Sequence, residues 1–201
     1  MMPVMNAVTH LLGTPADRRT PRVTKWLRTS RIAAIAWTAA RVWLGVMWIQ
    51  AGVAKVWGAE NPAFLHNNGA GVAGFAAHGV ASYSWWAGFL HHFVVPNASW
   101  IGVLIAFAEL AAGIGLAFGF LTPLAAGGAL LMNLTYMLSG TAGVNPVYAL
   151  VAVVVLATWR SSGWIGVDGL IAGARQRRRQ QRPLTATDPG VVAAPRTRTA
   201  A

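Results

Sequence analysis

The sequence predicts an all-α membrane protein: a four-transmembrane-helix up-down bundle with a long extracytoplasmic loop after the first helix. Three observations carry this expectation. Of the 201 residues, 55% are hydrophobic and only 10% are charged, against about 25% charged in a soluble domain. The apolar residues fall into four runs parted by Gly-, Pro- and Asn-rich connections, and long apolar runs with little charge mark membrane helices. Fourteen of the sixteen Lys and Arg lie before Ile32 or after Thr158. Basic flanks beside apolar spans set topology and attract anionic lipid head groups.

That distribution also bounds the partners. A formal charge of +11 on a soluble surface would suggest nucleic acid, but here the charge sits in the flanks, so no nucleic acid partner is expected. The chain has no cysteine. This excludes disulfides, thiol chemistry on the chain, iron–sulfur clusters on Cys ligands and covalent c-type haem.

Residues 1–31 read as a basic cytoplasmic arm, with a short interfacial helix around Val23 to Arg28. The first span covers about 32–56 and carries Trp37, Trp43 and Trp48, with Trp57 just beyond in an aromatic belt. The outer loop, 58–97, has no Lys or Arg and one acid, Glu60. Within it Ser84 to Val95 suits a short helix that Pro96-Asn97 ends; a fifth span over Ala70 to Val95 is the weaker alternative. The second span covers about 100–121, the third 123–139 and the fourth 145–160. Residues 32–170 thus form the membrane domain, and 171–201 a basic, disordered cytoplasmic tail. Both ends are basic and the loop is not, so both termini are expected in the cytoplasm, and two inside ends need an even number of spans.

Three polar side chains interrupt the spans. At about 1.5 Å per residue, Arg41 lies about 14 Å from the inner boundary and Glu109 about 14 Å from the outer one. Asn133 falls about 15 Å into the third span. All three come near the midplane of a core about 30 Å thick, so a neutral Arg41–Glu109 pair completed by Asn133 is expected. Lys55, two heptads beyond Arg41, is placed at the outer mouth, where it can snorkel. The layer either fixes helix register or forms a site for a polar head group between the helices. For Gln50 and Tyr136, packing with a local hydrogen bond is the expectation. The loop histidines His66, His78, His91 and His92 lack metal-ligand spacing, and no histidine pair lies within the spans, so neither a metal site nor a haem is expected.

Several motifs resemble the DoxX/DoxD family of bacterial integral membrane proteins, and its DoxD-like branch in particular. These are Arg41, Leu44-Gly45, Trp48, Gly52 and Lys55 on the first span, and Phe107-Ala108-Glu109 with Gly113, Leu116, Gly119 and Thr122 on the second. Met132-Asn133, Met137 to Thr141 and Asn145-Pro146 follow, then Trp159 and Gly163 to Asp168. The resemblance covers roughly Arg41 to Leu170. It implies a four-helix bundle in the bacterial plasma membrane. It also implies a role beside quinones, since members are linked to thiosulfate:quinone oxidoreduction, to quinol oxidase complexes and to complexes handling thiol or superoxide stress.

The function expected is therefore a membrane subunit of a quinone-linked oxidoreductase complex. Arg41, Trp48, Lys55 and Asn133 would hold the quinone or another polar head group, and Glu109 would carry a proton. Partner subunits or a second copy of the chain are expected beside the lipids. A loop without Lys or Arg is a poor thiosulfate site, and a chain without cysteine forms no covalent sulfur intermediate on a thiol, so catalysis by this chain alone is not expected. The alternatives are a non-catalytic scaffold anchoring redox or stress-response proteins and, less favoured, a small-solute carrier, for which no inverted repeat is visible.

Overall fold

The computed structural model describes residues 30–78, 81, 83–141, 143–162 and 165–181, and every element among them is helical. Residues 1–29 of the basic arm, with the helix expected around Val23, the pair Gly163-Trp164 and the chain beyond Gln181 lie outside the described residues; the last arm residue, Arg31, opens the first helix.

α1 runs over Arg31–Val56, 26 residues. A π-helical turn, Pro62–His66, follows, then α2, Ala70–His78, and α3, Ser84–Phe89, which continues into a second π-helical turn, Leu90–Val94. α4 covers Ala98–Phe118, 21 residues. α5 is Thr122–Leu138 and α6 Asn145–Ala157. The described residues close with the short α7, Trp159–Ser162, and with α8, Val167–Gln180. α1 and α4 are long and apolar enough to cross a membrane. The connection between them is largely helical, not an open loop.

α1 packs on α4 over most of its length, and α5 packs on both α4 and α6. Small residues set the first contact. A Cβ on Gly45 would fall 2.5 Å from the Ala117 nitrogen, and one on Gly52 2.6 Å from the Leu110 nitrogen. Only hydrogen fits where two backbones approach so closely. These contacts also fix the register. Gly45 lies beside the last turn of α4, and Gly52 beside its middle.

α4 ends at Gly119, whose φ of 67° is left-handed. The Phe120 amide returns to the Gly115 carbonyl at 2.9 Å, closing the helix in the manner glycine permits. α5 begins with Pro123 in its first turn and α6 with Pro146, where a missing N–H costs nothing. α6 stops at Thr158, whose hydroxyl donates to the Val154 carbonyl at 2.7 Å and so competes with the backbone ladder.

The core holds Leu44, Trp48, Leu116 and Val155 among alanines 112, 126, 129 and 152. Large apolar side chains face outward instead: Leu104, Phe107, Ile114, Leu124, Leu131 and Leu150 are all exposed. Small inside and large outside is the arrangement suited to helices packed in lipid, where large apolar side chains have no reason to hide.

The disorder expected from residue 171 does not begin there. α8 continues to Gln180. Asp168 in its first turn and Arg177 to Arg179 in its last match the helix dipole, and Ala, Arg and Gln favour helix where nothing packs against them.

Candidate functional site

The fixed register separates two groups that equal depth counting would bring together. Arg41 does not meet Glu109. α1 extends past the end of α4 at the basic end, so Arg41 lies level with the last turn of α4, while Glu109 lies half-way along it.

Arg41 is 1% exposed. Its Nη1 donates to the Leu116 carbonyl, and its Nη2 to the Ile165 carbonyl at 2.8 Å. The carbonyls closing a helix are unpaired and carry its negative dipole end, so a cation is well placed there. Asp168 completes this corner. Its carboxylate accepts from the Leu121 amide at 3.0 Å and the Thr122 amide at 2.9 Å, and its own amide donates to the Gly119 carbonyl at 2.8 Å. Leu121 is left-handed at φ 48°, a conformation costing a non-glycine residue about 1–3 kcal/mol. The cap from Asp168 offsets that strain by satisfying the first amides of α5.

Partial burial pushes the Asp168 carboxyl up, but bonds from Thr122 and Leu121 and the nearby Arg41 guanidinium hold it below its ordinary range. A depressed folded-state value means stability that is complete above the unfolded value, about 3.9, and lost as pH falls through the folded one. Acidification below about pH 4 is therefore expected to open the start of α5. Protection factors at Leu121 and Thr122, taken relative to intrinsic exchange at each pH, should fall there in the wild type. In Asp168→Asn they should be low at every pH.

Glu109 finds other partners. It is 2% exposed. Tyr136 donates its hydroxyl to Oε1 at 2.6 Å, and Lys55 Nζ lies 3.0 Å from Oε2. Lys55 does not snorkel to an outer mouth. Its side chain is 13% exposed, turns inward, and also pairs with Glu60 at 3.4 Å. The Phe64 ring centroid lies 5.1 Å from Nζ, within cation–π range. Trp48 is buried, and its ring lies 6.4 Å from that of Tyr136. Asn133, fully buried one turn before Tyr136, gives Nδ2 to the Ala129 carbonyl at 2.9 Å, while its Oδ1 takes no hydrogen bond.

Of the residues singled out from sequence, Trp48, Lys55 and Glu109 therefore gather around Tyr136. Asn133 lies on the same helix nearby, and Arg41 belongs to the other corner. Sequence reasoning missed Glu60 and Phe64, and it gave Tyr136 a local bond instead of one to Glu109. A signal for Tyr136 existed in its spacing, one turn beyond Asn133 on the same face. None existed for Glu60, whose approach depends on the turn after α1.

Beside this cluster lies a cavity of about 390 Å³. Lys55, Glu60, Tyr136 and Thr141 give its polar lining, and Phe64, Val72, Phe75 and Ile105 its apolar walls. A few convergent polar groups in an apolar pocket of this size are the usual form of a small-molecule site. Lys55 has three N–H donors, and two face carboxylates. The third is available to a ligand. One ammonium between two carboxylates makes the cluster formally negative by one, which disfavours an anion and suits a neutral acceptor.

No curated protein and no solved structure matches the chain. The DoxX family model matches residues 36–142, which takes in most of α1, the cavity and its polar cluster, α4 and α5. The chain belongs to the DoxX family, a family of membrane-associated proteins.

Proposed function

We propose that the protein is an integral membrane subunit of a quinone-linked oxidoreductase complex, of the DoxD-like branch, and that the quinone head group is held in the cavity beside Lys55, Glu109 and Tyr136. In this proposal α1, α4, α5 and α6 form a four-helix bundle in the bacterial plasma membrane, with both termini cytoplasmic. The supporting observation is the buried Lys55–Glu109–Tyr136 cluster opening on an apolar-walled cavity. A volume of about 390 Å³ accommodates one substituted ring, and the walls offer Phe64 and Phe75 to its faces.

The fit is chemical as well as spatial. The spare N–H of Lys55 would donate to a carbonyl oxygen of the ring. Tyr136, already donating to Glu109, keeps an oxygen lone pair towards the cavity. Glu109 would hold a proton at Oε1, the oxygen that meets the Tyr136 hydroxyl, and pass it through that hydroxyl. A bound quinone would supply two-electron, two-proton redox chemistry, the electrons coming from a partner subunit. Glu60, half-exposed and paired with Lys55, connects this cluster towards the loop end.

Purification from the native membrane, with extraction of bound quinone and identification of co-purifying proteins, tests the proposal. Quinone should accompany the wild type. Lys55→Met removes one charged hydrogen bond, about 1.5–3 kcal/mol, so retention should fall about 10–100-fold. Glu109→Gln should leave binding closer to normal and impair turnover in the assembled complex. Partner proteins recovered without quinone, in wild type and variants alike, would instead identify a scaffold.

A further inference from the structure

Depth in the bilayer follows from which helix matches its thickness. α4 has 21 residues, about 31 Å at 1.5 Å per residue, and the hydrocarbon core is about 30 Å. Exposed tryptophans mark both of its ends. Trp100 lies at the loop end, and Trp43, held level with the last turn of α4 by the Gly45–Ala117 contact, lies at the basic end. Arg41 and Asp168 also sit at the basic end. A bilayer coincident with α4 puts these charges at its edge and the Lys55–Glu109 pair near its middle.

α1 does not reach the loop-end face of that slab. Gly52 packs against Leu110, so α1 ends about one turn beyond the middle of α4. The first two turns of α4 are covered by the intervening segment instead. The Phe64 carbonyl lies against Gly102, and the Ala98 carbonyl against Gly69. Outward on this segment stand Phe89 and Phe93, each exposed by more than 40%. Phe93 meets Trp100 of α4 edge to face, 6.4 Å between ring centroids, and Val103 and Leu104 on α4 are exposed as well. The sequence has no Lys or Arg between Lys55 and Arg160. Glu60 lines the cavity and pairs with Lys55. His66 ends the turn before Gly69, and His91 and His92 lie in the turn Leu90–Val94; all three are exposed.

We propose that the pieces Pro62–His66, Ala70–His78, Ser84–Phe89 and Leu90–Val94 form a re-entrant cap lying within the loop-end leaflet. The outward aromatic rings contact acyl chains, and the cavity opens inside the membrane, not into water. Turn bonds join these helical pieces, the Asn67 amide donating to the Pro62 carbonyl at 2.8 Å, Ala70 to Asn67 at 2.9 Å and Val95 to Leu90 at 2.9 Å, and each bond made within the segment lowers the cost of depth in lipid. The occupant class follows: a molecule dissolved in the membrane that enters from the leaflet. The cap placement holds whether or not that molecule is a quinone.

The chain contains no cysteine, so single-cysteine spin labels can be placed without background. Phe89→Cys and Phe93→Cys report on the cap, Leu131→Cys on the exposed middle of α5, and Gln176→Cys on α8. In proteoliposomes the ratio of oxygen to nickel-chelate collisions at 89 and 93 should match that at 131. A ratio matching that at 176 overturns the proposal and moves the bilayer edge to the end of α1. Hydroxyl-radical footprinting of the unmodified protein in liposomes removes dependence on the variants. Phe89 and Phe93 should stay unoxidised while Leu170 on α8 is oxidised, and oxidation of all three overturns the proposal. Neither readout involves quinone, so a wet cap and a failure to retain quinone are separate results.

Discussion

Lys55→Met is expected to cost about 3–5 kcal/mol of stability, the range for breaking a buried ion pair by removing one partner. Glu109 would keep the Tyr136 hydroxyl but lose the ammonium 3.0 Å from Oε2. With 2% of the residue exposed, little water can replace it. The second partner decides whether the pair itself is responsible. In Lys55→Met/Glu109→Gln no charge is stranded, and the amide still accepts from Tyr136. The double variant should therefore recover about 0.5–3 kcal/mol relative to the sum of the single changes. Thermal unfolding in nanodiscs, on the four proteins of the cycle, measures this coupling. Strict additivity would mean that Lys55 and Glu109 do not interact, and the site would lose its centre.

Arg41→Met should be about as damaging, for a different reason. No single ion pair is broken. The guanidinium fills hydrogen bonds to carbonyls on α4 and at Ile165, and each carbonyl left buried without a donor costs about 1–3 kcal/mol. Asp168 would also lose its nearby cation. Arg41→Lys should recover only part of the loss, because an ammonium cannot reproduce a planar fork reaching two carbonyls in different directions. Thermal unfolding should thus rank wild type above Arg41→Lys above Arg41→Met. Equal stability of the Lys variant and the wild type would show that charge alone, not the fork, holds this corner.

The contrast between these two residues shows what the sequence carries. That α1 and α4 are long apolar helices is legible from the runs around Gly45 and Gly113, and the family from motif order. That Glu109 needs a basic partner is legible too, since a lone carboxylate in an apolar helix demands one. Which partner is not legible. Counting residues from each end assumes that helices begin at a common level, and α1 overshoots α4 because glycines 45, 52 and 113 lock the two with an offset. The amides that Asp168 caps follow a left-handed Leu121, which no propensity indicates. Of the cap pieces, Ser84–Phe89 with Leu90–Val94 is legible, since Pro96-Asn97 ends it. Pro62–His66 and Ala70–His78 are hidden, because a short helix without a distinct apolar face has the composition of a loop rich in Gly and Ala.

The bond between Arg41 and the Ile165 carbonyl also carries a consequence for biosynthesis. Its two ends are 124 residues apart. At roughly 5–20 residues per second, the ribosome needs roughly 6–25 s to make the second after the first. During that interval α1 has entered the membrane with a guanidinium whose final acceptor does not yet exist. The corner at Gly119 can close only once Ile165 and Asp168 have been made. Assembly of this corner is therefore timed by the segment leading into α8, and a nascent chain halted before Ile165 keeps its first span incompletely satisfied.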